Sequence, residues 1–168
     1  MNTEILEDVI DRYELGGPLL TYAIQGLSAE QSKARPGPGA WSIAELCNHL
    51  LDSDLVASDR MKRVICEHEP LLLNYEENDW IARLNAQELP VEEAVALFTL
   101  NRKWMTRILR NCKESDWTRW GTHSVAGKMN LTEIVVKYVH HLDSHLRFLY
   151  GKRGNLNTFL PPRYSREG

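Results

Sequence analysis

The sequence lacks the long apolar runs and the excess charge that mark several large classes of protein. No run approaches the roughly 20 apolar residues of a transmembrane helix, and no signal peptide is recognisable. The net charge is only −3, so no global field favours nucleic acid or an anionic membrane. The sequence therefore predicts a soluble, cytoplasmic protein that binds neither nucleic acid nor a membrane.

Cysteine is also scarce. The three cysteines, Cys47, Cys66 and Cys112, have neither a CxxC nor a zinc-finger spacing, and an odd count is typical of a reducing cytoplasm. Cys47 precedes His49 by two residues on a predicted helix, so the two side chains point to different faces. This favours a buried structural thiol at Cys47 over a nucleophile or ligand.

Motifs for nucleotide binding and for triad hydrolysis are missing too. No phosphate-cradling glycine motif and no Ser/His/Asp arrangement is present, which argues against both chemistries. At 168 residues the chain fits one domain. We expect a bundle domain over residues 1–150 and a C-terminal tail over 151–168. The tail is locally basic and is interpreted as a solvated end; its basic residues are Lys152, Arg153, Arg163 and Arg166.

Helical periodicity dominates what the sequence does contain. Apolar residues recur at three- and four-residue spacing in four long segments, about 3–27, 42–66, 91–113 and 130–150. Weaker patterns predict a short helix over 74–84 and a loop over 114–129, with Trp117 and Trp120 folding back onto the helices. No strand is predicted. Four amphipathic helices in one domain predict an all-α four-helix bundle, with connections long enough for a crossover.

Local signals mark where these helices begin and end. Ser42 with Glu45, and Asn130 with Glu133, form capping boxes at the starts of the second and last helices. Gly151 is predicted to end the last helix. Inside the first helix, Gly16-Gly17-Pro18 predicts a kink or local unwinding.

The last helix carries two histidines on its core-facing stripe. His141 and His145 are four residues apart and therefore lie one turn above each other. The stripe consists of Ile134, Tyr138, His141, His145 and Phe148. His140 falls on the opposite face of the helix, which is predicted to be exposed to solvent. Two inward imidazoles at this spacing can hold one divalent cation if a third ligand comes from elsewhere.

Three other histidines are candidates for that ligand. His49 lies at the edge of the apolar face of the second helix; taken alone, it is better interpreted as a buried, hydrogen-bonded ring. His68 lies in a polar run and is expected to be solvated. His123 lies in the loop ahead of the last helix, where it could line a pocket.

Two segments resemble the DinB/YfiT-like superfamily. They are Gly39-Ala-Trp-Ser-Ile-Ala-Glu-Leu-Cys-Asn-His49-Leu and the stretch from His123 through Tyr138-Val-His-His141-Leu-Asp-Ser-His145. With the helix order, the resemblance covers about residues 3–150. It implies a bundle with crossed connections, in up-down-down-up order. It also implies a divalent metal, zinc or nickel, held by His49, His141 and His145, and a homodimer.

The resemblance implies several activities. The family includes transferases that use low-molecular-weight thiols such as bacillithiol or mycothiol, maleylpyruvate isomerase-like enzymes, and metal-dependent hydrolases of unknown substrate. Three neutral imidazoles leave a coordination position for water, thiol or substrate. We expect a thiol-dependent S-transferase or a hydrolase of a small molecule, with catalytic residues beyond the ligands unassigned. The alternatives are a non-catalytic ligand-binding or dimeric interaction module, and a structural metal closed by His123 or a carboxylate.

Side chains that support the site are harder to place. Asp52 and Asp143 are candidates for orienting the imidazoles, although surface carboxylates are the simpler interpretation of both. Aromatic residues could line a mouth over the metal, although core packing is the simpler interpretation of each. They are Trp41, Tyr75, Trp80 and Trp120.

Overall fold

The computed structural model describes residues 3–160 of the chain. These residues contain six α-helices and a small sheet. The helices are α1 (Thr3–Ala23), α2 (Ala29–Lys33), α3 (Ile43–Cys66), α4 (Glu77–Arg83), α5 (Val91–Arg110) and α6 (Leu131–Asn155). The strands are β1 (Leu71–Leu72), β2 (Trp120–His123) and β3 (Gly127–Asn130). Two 3-10 helices cover Ala86–Glu88 and Glu114–Thr118. None of these helices is both long and apolar enough to cross a membrane.

Both predicted capping boxes are present. At the start of α3, the Ser42 hydroxyl accepts from the Glu45 amide at 3.2 Å, and the Glu45 carboxylate accepts from the Ser42 amide at 2.8 Å. Asn130 and Glu133 exchange the same pair of bonds at the start of α6. These reciprocal bonds satisfy backbone N–H groups that a helix start leaves unpaired, which fixes where the two site-bearing helices begin.

The predicted local unwinding inside α1 is wrong, and the alternative, a kink, stays a prediction. The helix runs from Thr3 to Ala23 through Gly16, Gly17 and Pro18. The glycines serve packing instead, because a Cβ on Gly16 would overlap the guanidinium of Arg102, and one on Gly17 would come within 2.8 Å of Thr99 Cγ2. Close approach of α1 to α5 therefore explains the two glycines.

The predicted end of α6 is also wrong. The helix continues through Gly151 to Asn155, so the first residues of the predicted tail are helical. Arg153 is buried rather than solvated, and it donates to the carbonyls of Ala23 at 3.0 Å and Thr158 at 2.8 Å. Arg163 and Arg166 lie outside the described residues.

The expectation of a structureless loop over 114–129, without strands, is wrong as well. Here β2 pairs with β3 antiparallel, with Trp120 opposite Asn130, and β1 pairs with β2 in parallel. Trp117 is buried in the core, as predicted. Trp120 is half-buried under the Lys128 ammonium, which lies 3.7 Å from its ring centroid. The strands are only two to four residues long, too short for an alternation of apolar and polar residues to be recognised.

The four long helices form a bundle with crossed connections, as predicted. Helix α1 packs against α5 and α6, and so does α3, which makes α1 and α3 diagonal partners. Helix α1 runs antiparallel to α5 and parallel to α6, and α3 runs parallel to α5 and antiparallel to α6. The order is therefore up-down-down-up. The contacts that fix these directions are Asp11–Arg110, Thr21–Thr99, Arg12–Asp143, Ala23–Arg153, Asn48–Ala86, Asp54–Arg102, Arg60–Tyr138 and His49–His141.

A buried ion pair joins all four helices at mid-height. The Arg102 guanidinium donates to Asp54 Oδ1 at 2.9 Å, to the Tyr138 carbonyl at 2.9 Å and to the Tyr13 carbonyl at 3.2 Å. Its carbon lies 4.4 Å and 4.5 Å from the ring centroids of Tyr13 and Phe98. Both charged side chains are 1% exposed. Because Tyr138 precedes His141 by one turn, this layer also fixes the height of α6 relative to α3.

Candidate metal centre

The helical phase of α6 separates its histidines as predicted. His140 is exposed, whereas His141 and His145 are half-buried and face the bundle. Phe148, assigned to the same stripe, is instead 62% exposed. The buried part of the stripe therefore ends one turn earlier than the sequence pattern suggests. His145 lies at the edge of the core.

The three predicted histidines converge on one point. Nε2 of His49, on α3, lies 3.3 Å from Nε2 of His141, and Nε2 of His145 lies 3.1 Å from the same atom. One ring nitrogen from each residue falls within 4.8 Å of the other two. Because α3 and α6 are antiparallel neighbours, a residue early in α3 meets the middle of α6. His49 is 1% exposed.

Burial keeps these imidazoles neutral near pH 7. Burial, with a smaller contribution from the charge of His145, lowers the pKa of His49 to about 4. It lowers the pKa of His141 to about 3, with smaller contributions from the charges of His145 and His49. The pKa of His145 is also lowered by burial. Neutral imidazole is the form that binds metals, so the cluster does not have to lose protons before it binds a cation.

The arrangement fits a divalent cation better than it fits hydrogen bonding among the rings. Two neutral rings that meet through Nε2 share at most one proton, and Nε2 of His141 faces two such partners at once. Zinc–nitrogen bonds of 2.0–2.1 Å at tetrahedral angles place two ligand nitrogens about 3.4 Å apart. The two separations from Nε2 of His141, 3.3 and 3.1 Å, are close to that value, and the third lies within 4.8 Å. The three residues could therefore hold one divalent metal with little rearrangement.

A carboxylate that the sequence did not indicate lies beside this cluster. Glu77 begins α4, and its Oε2 lies 3.5 Å from Nε2 of His49. Its side chain is 52% exposed, so it approaches from the solvent side. The ligand atoms that fall within 4.8 Å of one another come from histidines alone among the described residues. Glu77 therefore flanks the centre rather than completing it.

The other candidate ligands lie elsewhere. His68 is exposed, as predicted. His123 is buried in β2, where its Nδ1 accepts from the amides of Val125 and Ala126, each at 3.2 Å, so it belongs to a turn and not to the cluster. Cys47 is buried, and burial raises the pKa of its thiol to about 12, which agrees with a structural role.

The predicted supporting carboxylates do not orient the imidazoles. Asp143 pairs with Arg12 at 2.8 Å. Asp52 is half-buried, and burial raises its pKa, but within residues 3–160 no hydrogen bond joins it to a histidine of the cluster. Nδ1 of His145 is buried and has no hydrogen-bond partner there.

The aromatic residues predicted to line a mouth over the metal do not all line the same cavity. The Trp41 ring lies 4.9 Å from the His49 ring, between centroids, and it lines a cavity of about 530 Å³ that also reaches His145. Tyr75 and Trp80, whose centroids are 4.5 Å apart, line a different cavity of about 770 Å³. Of the four aromatics, Trp41 is the one whose ring lies against a ring of the histidine cluster.

Comparisons with known proteins give matches in family, in sequence and in fold. Residues 12–149 match the DinB superfamily. A protein of Oceanobacillus iheyensis named "putative metal-dependent hydrolase" is 29% identical over 143 residues, which cover 84% of this chain and 82% of that protein. The fold resembles that of YfiT from Bacillus subtilis, described as "a probable metal-dependent hydrolase with an unusual four-helix bundle topology". The TM-score is 0.87 and the identity 20%, covering 94% of this chain and 90% of YfiT. TT2238, "a four-helix bundle protein", is more distant, with a TM-score of 0.63 and 16% identity over 87% of this chain and 98% of its own.

Proposed function

This chain belongs to the DinB superfamily, and we propose that it is a metal-dependent hydrolase that acts on a small molecule through His49, His141 and His145. The observation that carries the proposal is the convergence of three neutral imidazoles, from two antiparallel helices, on one point at the edge of the bundle. Relatives that carry the name "putative metal-dependent hydrolase" support the reaction class.

The three histidines would hold the cation and leave one side of it facing solvent. A cation bound there would supply Lewis-acid chemistry, lowering the pKa of a coordinated water or thiol and polarising a substrate oxygen. Burial of the rings excludes water from the inner side, where His49 is 1% exposed. The open side is therefore the side from which Glu77 and the Trp41-lined cavity approach.

Glu77 is our candidate for the general base and acid on this open side. Its Oε2 lies near Nε2 of His49, within hydrogen-bonding range of a group beside that nitrogen. A carboxylate so placed can accept a proton from an attacking nucleophile and return it to the leaving group. Proximity to the cluster and access to solvent support this role for Glu77.

A thiol-dependent S-transferase remains compatible with the same ligands, since a thiolate also binds a cation held by three nitrogens. No described residue favours a particular thiol, so hydrolysis is the function that we propose. The choice of zinc or nickel, the homodimer and the cytoplasmic location stay predictions.

One experiment separates these functions. The protein, loaded in parallel with zinc or nickel, is assayed on a panel of aryl esters, lactones and anilides, and on model electrophiles with bacillithiol, mycothiol or glutathione. We expect hydrolysis that disappears on chelation and in His145→Ala, and that persists in His140→Ala, a matched loss of a histidine from the exposed face of the same helix. Turnover only with a thiol would replace hydrolase by transferase. Zinc or nickel binding without turnover of either kind would contradict both and favour a binding module.

A further inference from the structure

The cavity that reaches His145 is bounded by two aromatic side chains that flank the histidine cluster. Trp41 lies against the His49 ring at 4.9 Å between centroids, and Phe148 lies at 6.0 Å from the His145 ring, edge to face. Both line the same space of about 530 Å³. Phe148 lies on the outer part of α6 and is 62% exposed, so its role is not core packing. The two rings form apolar walls that lead from solvent to the cluster.

The charged side chains that line this cavity are both positive. Arg147 and Lys152 line it, and no aspartate or glutamate among the described residues does. Neither cation forms a salt bridge with any carboxylate within residues 3–160. The Lys152 ammonium donates to the backbone carbonyl of Trp41, which ties α6 to the aromatic wall. The nearby Glu45 is already paired with Arg35 and with its own helix cap. The cavity is therefore a cationic pocket with aromatic walls.

One part of the cavity is open because α6 has no side chain there. Gly151 lines the space, and a Cβ built on it meets no atom within 4 Å. Its φ angle is not positive, so its backbone does not require glycine. A larger side chain at this position would project into the cavity without displacing neighbouring residues. Gly154, three residues further along α6, is equally unobstructed but does not line the cavity.

We propose that this cavity binds the substrate of the hydrolase, and that the substrate is an amphipathic anion: an aromatic or similarly apolar body between Trp41 and Phe148, with an anionic group facing Arg147 and Lys152. The inference rests on the proposed function only for the identification of the ligand as the substrate. The reacting bond would lie against His145, and the anionic group against Arg147 and Lys152.

Binding of two probes that cannot be hydrolysed tests the cavity directly. Naphthalene-2-sulfonate carries a negative charge and coordinates metals weakly, and methyl 2-naphthyl sulfone has nearly the same shape without the charge. Their affinities are measured by isothermal titration calorimetry at pH 7.5 and low ionic strength, on the protein with and without zinc. We expect the sulfonate to bind about fivefold more tightly than the sulfone, with a preference that decreases as salt is added, because Arg147 is exposed.

Three variants locate the binding. Arg147→Gln should reduce the affinity for the sulfonate to that for the sulfone while leaving the sulfone unchanged. Gly151→Leu should weaken both probes at least about tenfold, by filling the space between the aromatic walls. Gly154→Leu, the matched control on the same helix, should change neither. Circular dichroism and thermal melting check that each variant is folded.

The inference is overturned if wild type binds both probes equally or neither, or if Gly151→Leu binds them as wild type does. These results are distinct from failure of the proposed function. A protein that hydrolyses esters with zinc but ignores the sulfonate would contradict the cavity alone. A protein that binds the sulfonate, loses this binding in Gly151→Leu and shows no metal-dependent hydrolysis would contradict the proposed hydrolase function. The cavity would then remain as an anion-binding site.

Discussion

Glu77 places a carboxylate oxygen 3.5 Å from Nε2 of His49, the nitrogen that also faces His141. The two residues belong to different helices, and Glu77 reaches the cluster from the short helix α4 rather than from the bundle. A carboxylate in this place is not needed to hold the fold, because its side chain is half exposed. Its position is explained if it acts on a group bound next to the histidines.

Glu77→Gln is expected to lower kcat by about 100-fold, in line with the usual contribution of a positioned acid or base, and to leave KM within a few-fold. Metal content should stay at the wild-type value, because the three histidines are untouched. Steady-state kinetics on the hydrolysed ester, with elemental analysis of each preparation, gives both quantities.

The matched control for that change is Asp79→Asn. Asp79 lies in the same first turn of α4 and is also exposed, so the substitution removes an equal charge from the same helix. Its kinetics should equal those of wild type. Equal losses in the two variants would show that α4 acts through its overall charge or stability, and would contradict a specific role for Glu77.

Arg102→Met is expected to destabilise the protein by about 3–5 kcal/mol, because it leaves the Asp54 carboxylate buried without its cation. Adding Asp54→Asn in the same chain should restore part of that loss by removing the unpaired charge. Urea denaturation of the metal-free protein, followed by circular dichroism, measures the free energy of unfolding. A loss below about 1 kcal/mol in the single variant would contradict a central role for this ion pair.

Two glycines in helices are expected to respond in opposite directions to alanine. Gly151→Ala should raise the free energy of unfolding by up to about 1 kcal/mol, the usual gain in helix propensity, because the new Cβ meets nothing. Gly16→Ala should lower it in spite of the same propensity gain, since the new Cβ overlaps Arg102 and comes within 2.6 Å of Leu142. A rise in the urea midpoint for both would show that the approach of α1 to α5 and α6 is less close than described, and a fall for both would contradict the gain expected at Gly151.

The helices and the histidine pair follow from local patterns in the sequence. Helical phase alone separates His141 and His145 from His140, and the two capping boxes fix the starts of α3 and α6. The third histidine was different. The local pattern left His49 as a buried ring, and only the resemblance to a family grouped it with the pair. Its partner in space lies on another helix, which no local pattern can indicate.

The parts that could not be predicted depend on contacts between distant segments. Gly16 and Gly17 look like a helix break, but their small size serves the packing of α1 on α5. Gly151 looks like a helix end, but it lines a cavity. Glu77 lies in a segment without strong periodicity, where an exposed acid has no distinguishing neighbour in sequence. Its proximity to His49 depends on the packing of α4 against α3, which no local pattern indicates.

The metal-free protein is expected to become more stable as the pH rises from about 4 to 6.5. Burial holds the pKa values of His49 and His141 at about 4 and 3 in the folded chain, whereas the unfolded value is about 6.5. Between these values the unfolded chain binds more protons, so the free energy of unfolding increases with pH and levels off above 6.5. Urea midpoints at closely spaced pH values measure the slope. The triple variant with glutamine at positions 49, 141 and 145 should have a smaller slope, and an unchanged one would contradict the assignment.

Metal stoichiometry tests the central claim most directly. Chelator-treated wild type is titrated with zinc by isothermal titration calorimetry, and the bound metal is confirmed by elemental analysis after gel filtration. We predict one zinc per chain for wild type and for His140→Ala, and loss of at least about 100-fold in affinity for His141→Ala, whose Nε2 lies between the other two. Equal zinc binding by His141→Ala and wild type, or no binding by wild type to either zinc or nickel, would contradict the account.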